Sequence, residues 1–320
     1  MNQLSEHQQL LLKTYKAFAN FCSKNDITFF AAYGTMIGAI RHHGFIPWDD
    51  DIDVFMLRKE YDRFVELRKT LTDGQYRISV YLDGDSPYPF AKFFTTEGTI
   101  WEYSQFPFII GPWVDVFPID EGDMEDPKAN KILENLHYAM WKYRKAISYA
   151  SFREIGINFL HLDFMEGSMK LFKKIRYAPF KGKYIKEIKA RLNEVRAIKG
   201  KTLRCYSTAL TNEVFEKSWF QEAIDIPFED TTIPVPNGYH EFLTALYGNY
   251  MQLPPEAKRV SHDVYFIDLN HSLTRDEILN YHKEKLVEKP PMPLKIIIEE
   301  LFHRNKGWLR PRPKNKISNG

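Results

Sequence analysis

The chain has 320 residues, 44% of them hydrophobic and 15% aromatic, with a formal net charge of +2. That much apolar material supports a sizeable core, and the near-neutral charge excludes an obligatory nucleic-acid binder, whose domain would be strongly basic. Two cysteines, Cys22 and Cys205, are too few for a disulfide framework or a Cys-rich zinc site.

In chain order, residues 5–24 read as an amphipathic helix whose apolar stripe runs Leu11, Tyr15, Phe18, Cys22, so Cys22 is a packing residue. Ile27–Tyr33 (ITFFAAY) predicts a strand, Gly34-Thr35 a tight turn, and Met36–His42 a helix ending near His42 and His43. An acidic strand follows at Asp51–Leu57, then a helix over 58–71, several strands to about residue 119, and long helices from about 126 to 200. Short strands and helices with proline turns complete the chain, and Tyr247-Gly248 predicts a helix C-cap. No Gly/Ser-rich or Pro-rich linker divides it, so the expectation is one catalytic domain over 1–270, with core segments 25–120 and 205–265 around a helical insert at about 126–204. Residues 271–320 read as C-terminal helices and a basic tail. The N-terminal MNQLSEHQQL lacks the basic-then-apolar order of a secretory signal, which predicts a cytoplasmic location.

Within Tyr33–Val54, four of the five residues from 49 to 53 are aspartates: Asp49, Asp50, Asp51 and Asp53. Unit charges about 4 Å apart repel by roughly 1 kcal/mol in water and several times that near protein, so a cation belongs among them. Clustered carboxylates suit hard divalent ions, and Mg²⁺ commonly bridges one or two carboxylates and substrate phosphates. Strand alternation puts Asp51 and Asp53 on one face and Ile52 and Val54 on the other. Upstream, Gly34 permits close backbone approach to a phosphate, and the amides opening the following helix favour an anion. Arg41 adds a planar fork for phosphate oxygens. A calcium-binding EF-hand loop is excluded because its sixth position, which requires glycine, is Val54.

The run GFIPWDDDID after a Gly-Thr helix start and an arginine, followed by FAKF around Lys92 and GPWVDVFPID around Asp115, resembles the LicD family, relatives of fukutin and fukutin-related protein in the nucleotidyltransferase superfamily. Phe228–Pro255 is similar to that family's C-terminal block. The resemblance covers residues 25–120 and 205–265 and implies an α/β (α+β) fold, a mixed twisted sheet with packed helices and a largely helical insert. It also implies three acidic positions, here Asp51, Asp53 and Asp115, as metal-holding and catalytic residues. Gly34, Thr35, Arg41 and Lys92 are then expected to bind substrate phosphates, and Mg²⁺ or Mn²⁺ is the expected cofactor. For Lys92 alone, a lysine snorkelling from a sheet edge is the other reading.

The function so implied is transfer of a phosphorylated alcohol, foremost phosphocholine, from CDP-choline or another CDP-alcohol to a hydroxyl of a glycan or lipid-linked glycan acceptor, such as a teichoic acid, lipopolysaccharide or capsule precursor, with release of CMP. The rivals are a nucleotidyltransferase releasing pyrophosphate and a transferase of ribitol phosphate or glycerol phosphate. Between Tyr143 and Lys201, Lys and Arg are interleaved with aromatic residues, and a basic tail follows the apolar LKIIIEELF. Both segments are candidates for peripheral contact with the inner face of the plasma membrane.

Overall fold

Ser5 opens the first helix with a capping box: its hydroxyl accepts from Gln8 N at 3.1 Å while the Gln8 side chain accepts from Ser5 N at 3.1 Å. That helix, α1 (Glu6–Lys24), buries the predicted stripe of Leu11, Tyr15, Phe18 and Cys22. The computed structural model describes residues 4–72, 74–81, 86–106, 108–122, 126–148, 151–160, 164–205 and 214–288. The basic tail beyond Glu288 lies outside the described residues.

The elements after α1 are β1 (Phe30–Ala31), α2 (Tyr33–His42), β2 (Asp53–Leu57), α3 (Arg58–Glu66), β3 (Tyr76–Ser79), β4 (Ala91–Thr95), β5 (Thr99–Trp101) and β6 (Trp113–Gly122). Four helices follow, α4 (Pro127–Ile147), α5 (Phe152–Leu160), α6 (Phe164–Arg176) and α7 (Lys181–Arg196). Then come β7 (Thr202–Arg204), β8 (Val214–Glu216), β9 (Ala223–Phe228), β10 (Thr231–Pro236), α8 (Tyr239–Tyr247), β11 (Phe266–Asp268) and α9 (Arg275–Glu288).

Among the described residues, seven strands form one mixed sheet in the order β1-β2-β6-β4-β3, with β7 paired to β6 and β8 to β7. Only β2 and β6 run parallel. Strand β6 is the hub because it pairs with β2, β4 and β7, and it is buried along nearly its whole length. Such burial on both faces explains the apolar run WVDVFPI, interrupted by a single charged residue, Asp115. The expected α+β architecture is therefore present.

Helices α4 to α7 lie between β6 and β7, which pair with each other through Asp120–Arg204, Glu121–Leu203 and Gly122–Thr202. The helical excursion thus leaves and rejoins the sheet at one place, and the end of the insert expected over about 126–204 is β7, a strand of the sheet. Helices α4 and α7 share their own core, with Leu136, Tyr143 and Ile188 fully buried.

The main core is aromatic. Phe55 on β2 is fully buried and meets Tyr33, Phe117, Phe215, Phe220 and Phe242 with ring centroids 4.9 to 6.3 Å apart. This cluster ties β2 to α2, β6, β8 and α8. Phe55→Ala is expected to cost about 3–5 kcal/mol of stability through the cavity it leaves, and Phe55→Leu much less, read as the shift in the urea unfolding midpoint.

Candidate active site

The site begins where α2 meets β2. Thr35, in the first turn of α2, is buried, and its hydroxyl accepts a hydrogen bond from Asp53 N at 2.9 Å. Ala32 N in turn donates to Asp53 O at 2.9 Å. Both main-chain groups of Asp53 are therefore held by the β1–α2 junction, which leaves its side chain as the group presented by the strand end. Gly34 stands against Asp49: a Cβ built there would lie 3.0 Å from Asp49 Oδ2. The glycine thus allows the acidic loop to close over the start of α2.

Register then assembles the next residues. Across the parallel β2–β6 pair Asp53 stands opposite Asp115, and across the antiparallel β4–β6 pair Asp115 stands opposite Lys92. Laterally paired residues share a face, so Asp53, Asp115 and Lys92 form one row over three adjacent strands. Lys92 is only 1% exposed. Its Nζ lies 2.8 Å from Oδ1 and 3.1 Å from Oδ2 of Asp115, donates its hydrogen bond to Oδ2, and reaches Glu102 Oε2 at 3.3 Å. Asp115 Oδ1 is shut off from solvent, and its neighbour is the Lys92 ammonium. The Lys92 ammonium also sits 4.0 Å from the Trp113 ring and 4.3 Å from the Tyr88 ring, faces that favour a cation. Burial by itself would lower its pKa, but Asp115 and Glu102 raise it above the ordinary lysine value, so the ammonium stays charged.

The carboxyls are pushed the other way. Asp115 is raised to about 7, first by burial and further by Glu102, against the opposing pull of Lys92. Burial also raises Asp53 well above the carboxylate range, with the charges of Asp51 and Asp115 adding to it. Asp49, hydrogen-bonded to Asp51, is raised to about 8 by burial and then by that neighbour. Burial likewise raises Asp51.

These acids are held in place by distant parts of the chain. Gln8 Nε2 donates to Asp49 O at 3.0 Å, so the capping residue of α1 also fixes the acidic loop. Glu229, in the β9–β10 turn, accepts from Phe45 N at 2.9 Å and donates its own N–H to His43 O at 2.8 Å, which anchors the loop leading to Trp48. His262 binds Asp50 twice, from its backbone N at 3.0 Å and through Nδ1 at 2.7 Å, and its pKa rises to about 9 chiefly through that hydrogen bond.

Of the residues expected from sequence, Asp53, Asp115 and Lys92 are brought side by side, and Asp51 is close enough for its charge to raise both aspartates. The three carboxylates do not close on one point. Among the described residues, ligand atoms of three acidic or histidine groups come within 4.8 Å of one another only at Asp50, Asp51 and His262. Arg41 sits at the far end of α2, about 9 Å along the axis from Thr35 at a rise of about 1.5 Å per residue. Its guanidinium donates to Tyr250 O at 2.6 Å and to Gln252 O at 3.4 Å. It thus braces the loop after α8.

Sequence reasoning missed three residues. Tyr88 lies in the bend that precedes β4, and its hydroxyl donates to Glu102 Oε2 at 2.5 Å. Glu102 and His262 carried no pattern. His262 lies 212 residues from its partner Asp50, in a stretch without periodicity.

An all-oxygen donor set whose carboxylates are desolvated and raise one another's pKa fits a hard divalent cation. Residues 26–147 match the family described as "LicD/FKTN/FKRP, nucleotidyltransferase domain". The chain is 30% identical to the lipopolysaccharide cholinephosphotransferase LicD of Haemophilus influenzae over 267 residues, 82% of this chain and 96% of that protein. An uncharacterized protein of Rickettsia typhi is 32% identical over 77 residues, covering 24% of this chain and 25% of its own, and one of Rickettsia prowazekii is 42% identical over 57 residues, covering 18% and 21%. With similarity to the Haemophilus enzyme running through most of both chains, and with the family's Gly-Thr, paired-aspartate and Val-Asp-Val segments meeting where β2 and β6 begin, the chain belongs to the LicD family of transferases.

Proposed function

We propose that this enzyme transfers phosphocholine from CDP-choline to a hydroxyl of lipopolysaccharide or a related cell-surface glycan precursor, and releases CMP. The observation that carries this reading is the Asp53–Asp115–Lys92 row in a chain 30% identical over most of its length to a lipopolysaccharide cholinephosphotransferase. Asp51, Asp53 and Asp115 would hold Mg²⁺ or Mn²⁺, which when bound neutralises charge on the pyrophosphate oxygens of the donor.

In the transfer, the acceptor hydroxyl oxygen forms a bond to the phosphorus of the phosphocholine group as the bond from that phosphorus to the CMP oxygen breaks. CMP departs with the bridging oxygen, and the hydroxyl proton passes to a carboxylate. Asp115 suits that last role, because it stands opposite Asp53 in the row and a carboxylate there is positioned to accept a proton from an attacking hydroxyl. Lys92 holds the Asp115 carboxylate in position from the neighbouring strand and offsets its charge. Thr35 keeps Asp53 in register at the strand end, and Gly34 leaves room beside the helix start for the acidic loop and for phosphate.

Three outcomes test this reading. Mass spectrometry after incubation with a panel of CDP-alcohols and glycan precursor should show CMP and a phosphocholine-bearing acceptor. Pyrophosphate as product would assign nucleotidyl transfer instead, and preference for CDP-ribitol or CDP-glycerol would change the group moved.

Asp53→Asn should preserve the fold by circular dichroism and lower turnover on the order of 10² to 10³ at saturating Mg²⁺. Lys92→Met should reduce both turnover and stability, the latter by about 3–5 kcal/mol, since it strips the buried Asp115 carboxylate of its partner.

A carboxyl raised in the folded state binds protons more tightly there than when unfolded, so its contribution to stability is lost as pH climbs through the folded value. The metal-free protein should therefore lose thermal stability from about pH 4 upward, through about 7 and 8 where Asp115 and Asp49 titrate. Added Mg²⁺ should restore it. A melting temperature unmoved by Mg²⁺ near pH 8 would remove the cation from this site.

A further inference from the structure

Helices α5 and α6 are inside out. On α6 one ion-pair cluster points inward: Glu166 is buried, and Lys170 Nζ pairs with Glu166 at 2.8 Å and with Glu154 of α5, also buried, at 2.7 Å. The solvent side of the same helix carries Met165, Ser168, Phe172 and Ile175, spaced three, four and three residues apart on one helical stripe. Phe172 is 57% exposed and Ile175 66%. On α5, Phe152, Gly156 and Leu160 follow at intervals of four, with Phe152 71% and Leu160 81% exposed. A side chain on Gly156 would meet nothing within 4 Å.

Solvent-facing apolar stripes on two contacting helices whose ion pairs are turned inward indicate a surface made to meet something apolar. Charge narrows the choice. From residue 164 to 190 the chain carries eight Lys and Arg against two Glu, whereas the whole protein is nearly balanced at +2. A second copy of the same face would bring like charges together. Nucleic acid would leave the Phe, Leu and Ile side chains without a partner. An anionic phospholipid bilayer satisfies both features, because it accepts aromatic and aliphatic side chains at the acyl boundary and basic groups at the headgroups. Among the described residues no helix is long and apolar enough to cross a membrane, so the contact is interfacial.

We infer that the α5–α6 pair is a docking face for the surface of an anionic lipid bilayer, seated by Phe152, Leu160, Phe172 and Ile175 and held electrostatically by the basic residues around the α6–α7 junction. The inference does not depend on which group the enzyme transfers.

The test is flotation of the full-length protein with vesicles of phosphatidylglycerol and phosphatidylcholine, beside pure phosphatidylcholine vesicles, at low and high salt. The wild type should float with the anionic vesicles, less at high salt, and little with the neutral ones. Phe172→Ser combined with Ile175→Ser should reduce the bound fraction about tenfold at an unchanged melting temperature. Gly156→Leu, which extends the stripe into open space, should increase it. Absence of flotation, or flotation indifferent to all three substitutions, overturns the inference. So does a dimer seen by light scattering that the serine substitutions dissociate, which would make this face a self-interface. Transfer to a detergent-dispersed acceptor should be the same in every variant, which separates failure of the docking face from failure of the proposed reaction.

Discussion

Two carboxylates are forced together by the register of one pair of parallel strands. Neighbouring strands lie about 4.8 Å apart, and two full charges about 5 Å apart at an effective dielectric near 20 repel by roughly 3 kcal/mol. The β2–β6 register sets Asp53 and Asp115 against that kind of repulsion, which is one cause of the raised Asp53 pKa, and Lys92 is placed in the same row on the other side of β6. A lysine buried to this degree is itself expensive. It is tolerated because its three sides meet Asp115, Glu102 and the faces of Tyr88 and Trp113. The site is thus a balance of buried charges, none of which is stable there alone.

The loop carrying Asp49, Asp50 and Asp51 is held by contacts remote in sequence: Gln8 from α1, Glu229 from the β9–β10 turn and His262 from the segment before β11. Each supplies a hydrogen bond to a loop that has no sheet partners of its own before Ile52, whose carbonyl accepts from Asp115 N at 2.8 Å. The first helix and the C-terminal part of the chain therefore converge on a motif that occupies a few residues near the start.

The helical insert is attached economically. It departs from β6 and returns through β7 to the same strand, so its four helices add a second core without altering the register of β2, β6 and β4. Its outer pair, α5 and α6, turns an ion-pair cluster inward and leaves apolar side chains on the solvent side.

The local elements were legible in the residues. The stripe on α1, the glycine after Tyr247, the alternation of Asp51, Ile52, Asp53 and Val54, and the run of long helices after residue 126 are all periodic or capping signals, which depend on neighbours a few positions away. The strand before α2 was expected over seven residues and is two residues long, because only Phe30 and Ala31 find partners on β2. What the sequence by itself determined was therefore the set of elements, their order, and the carboxylates that required company. Tertiary structure alone decided which groups keep that company. Lys92 lies opposite Asp115 through strand pairing, Arg41 is spent on the carbonyls of Tyr250 and Gln252, and His262 crosses the chain to Asp50. Periodicity records which way a side chain faces along its own element. Contacts between elements depend on register and loop closure, for which a single chain of residues carries no local signal.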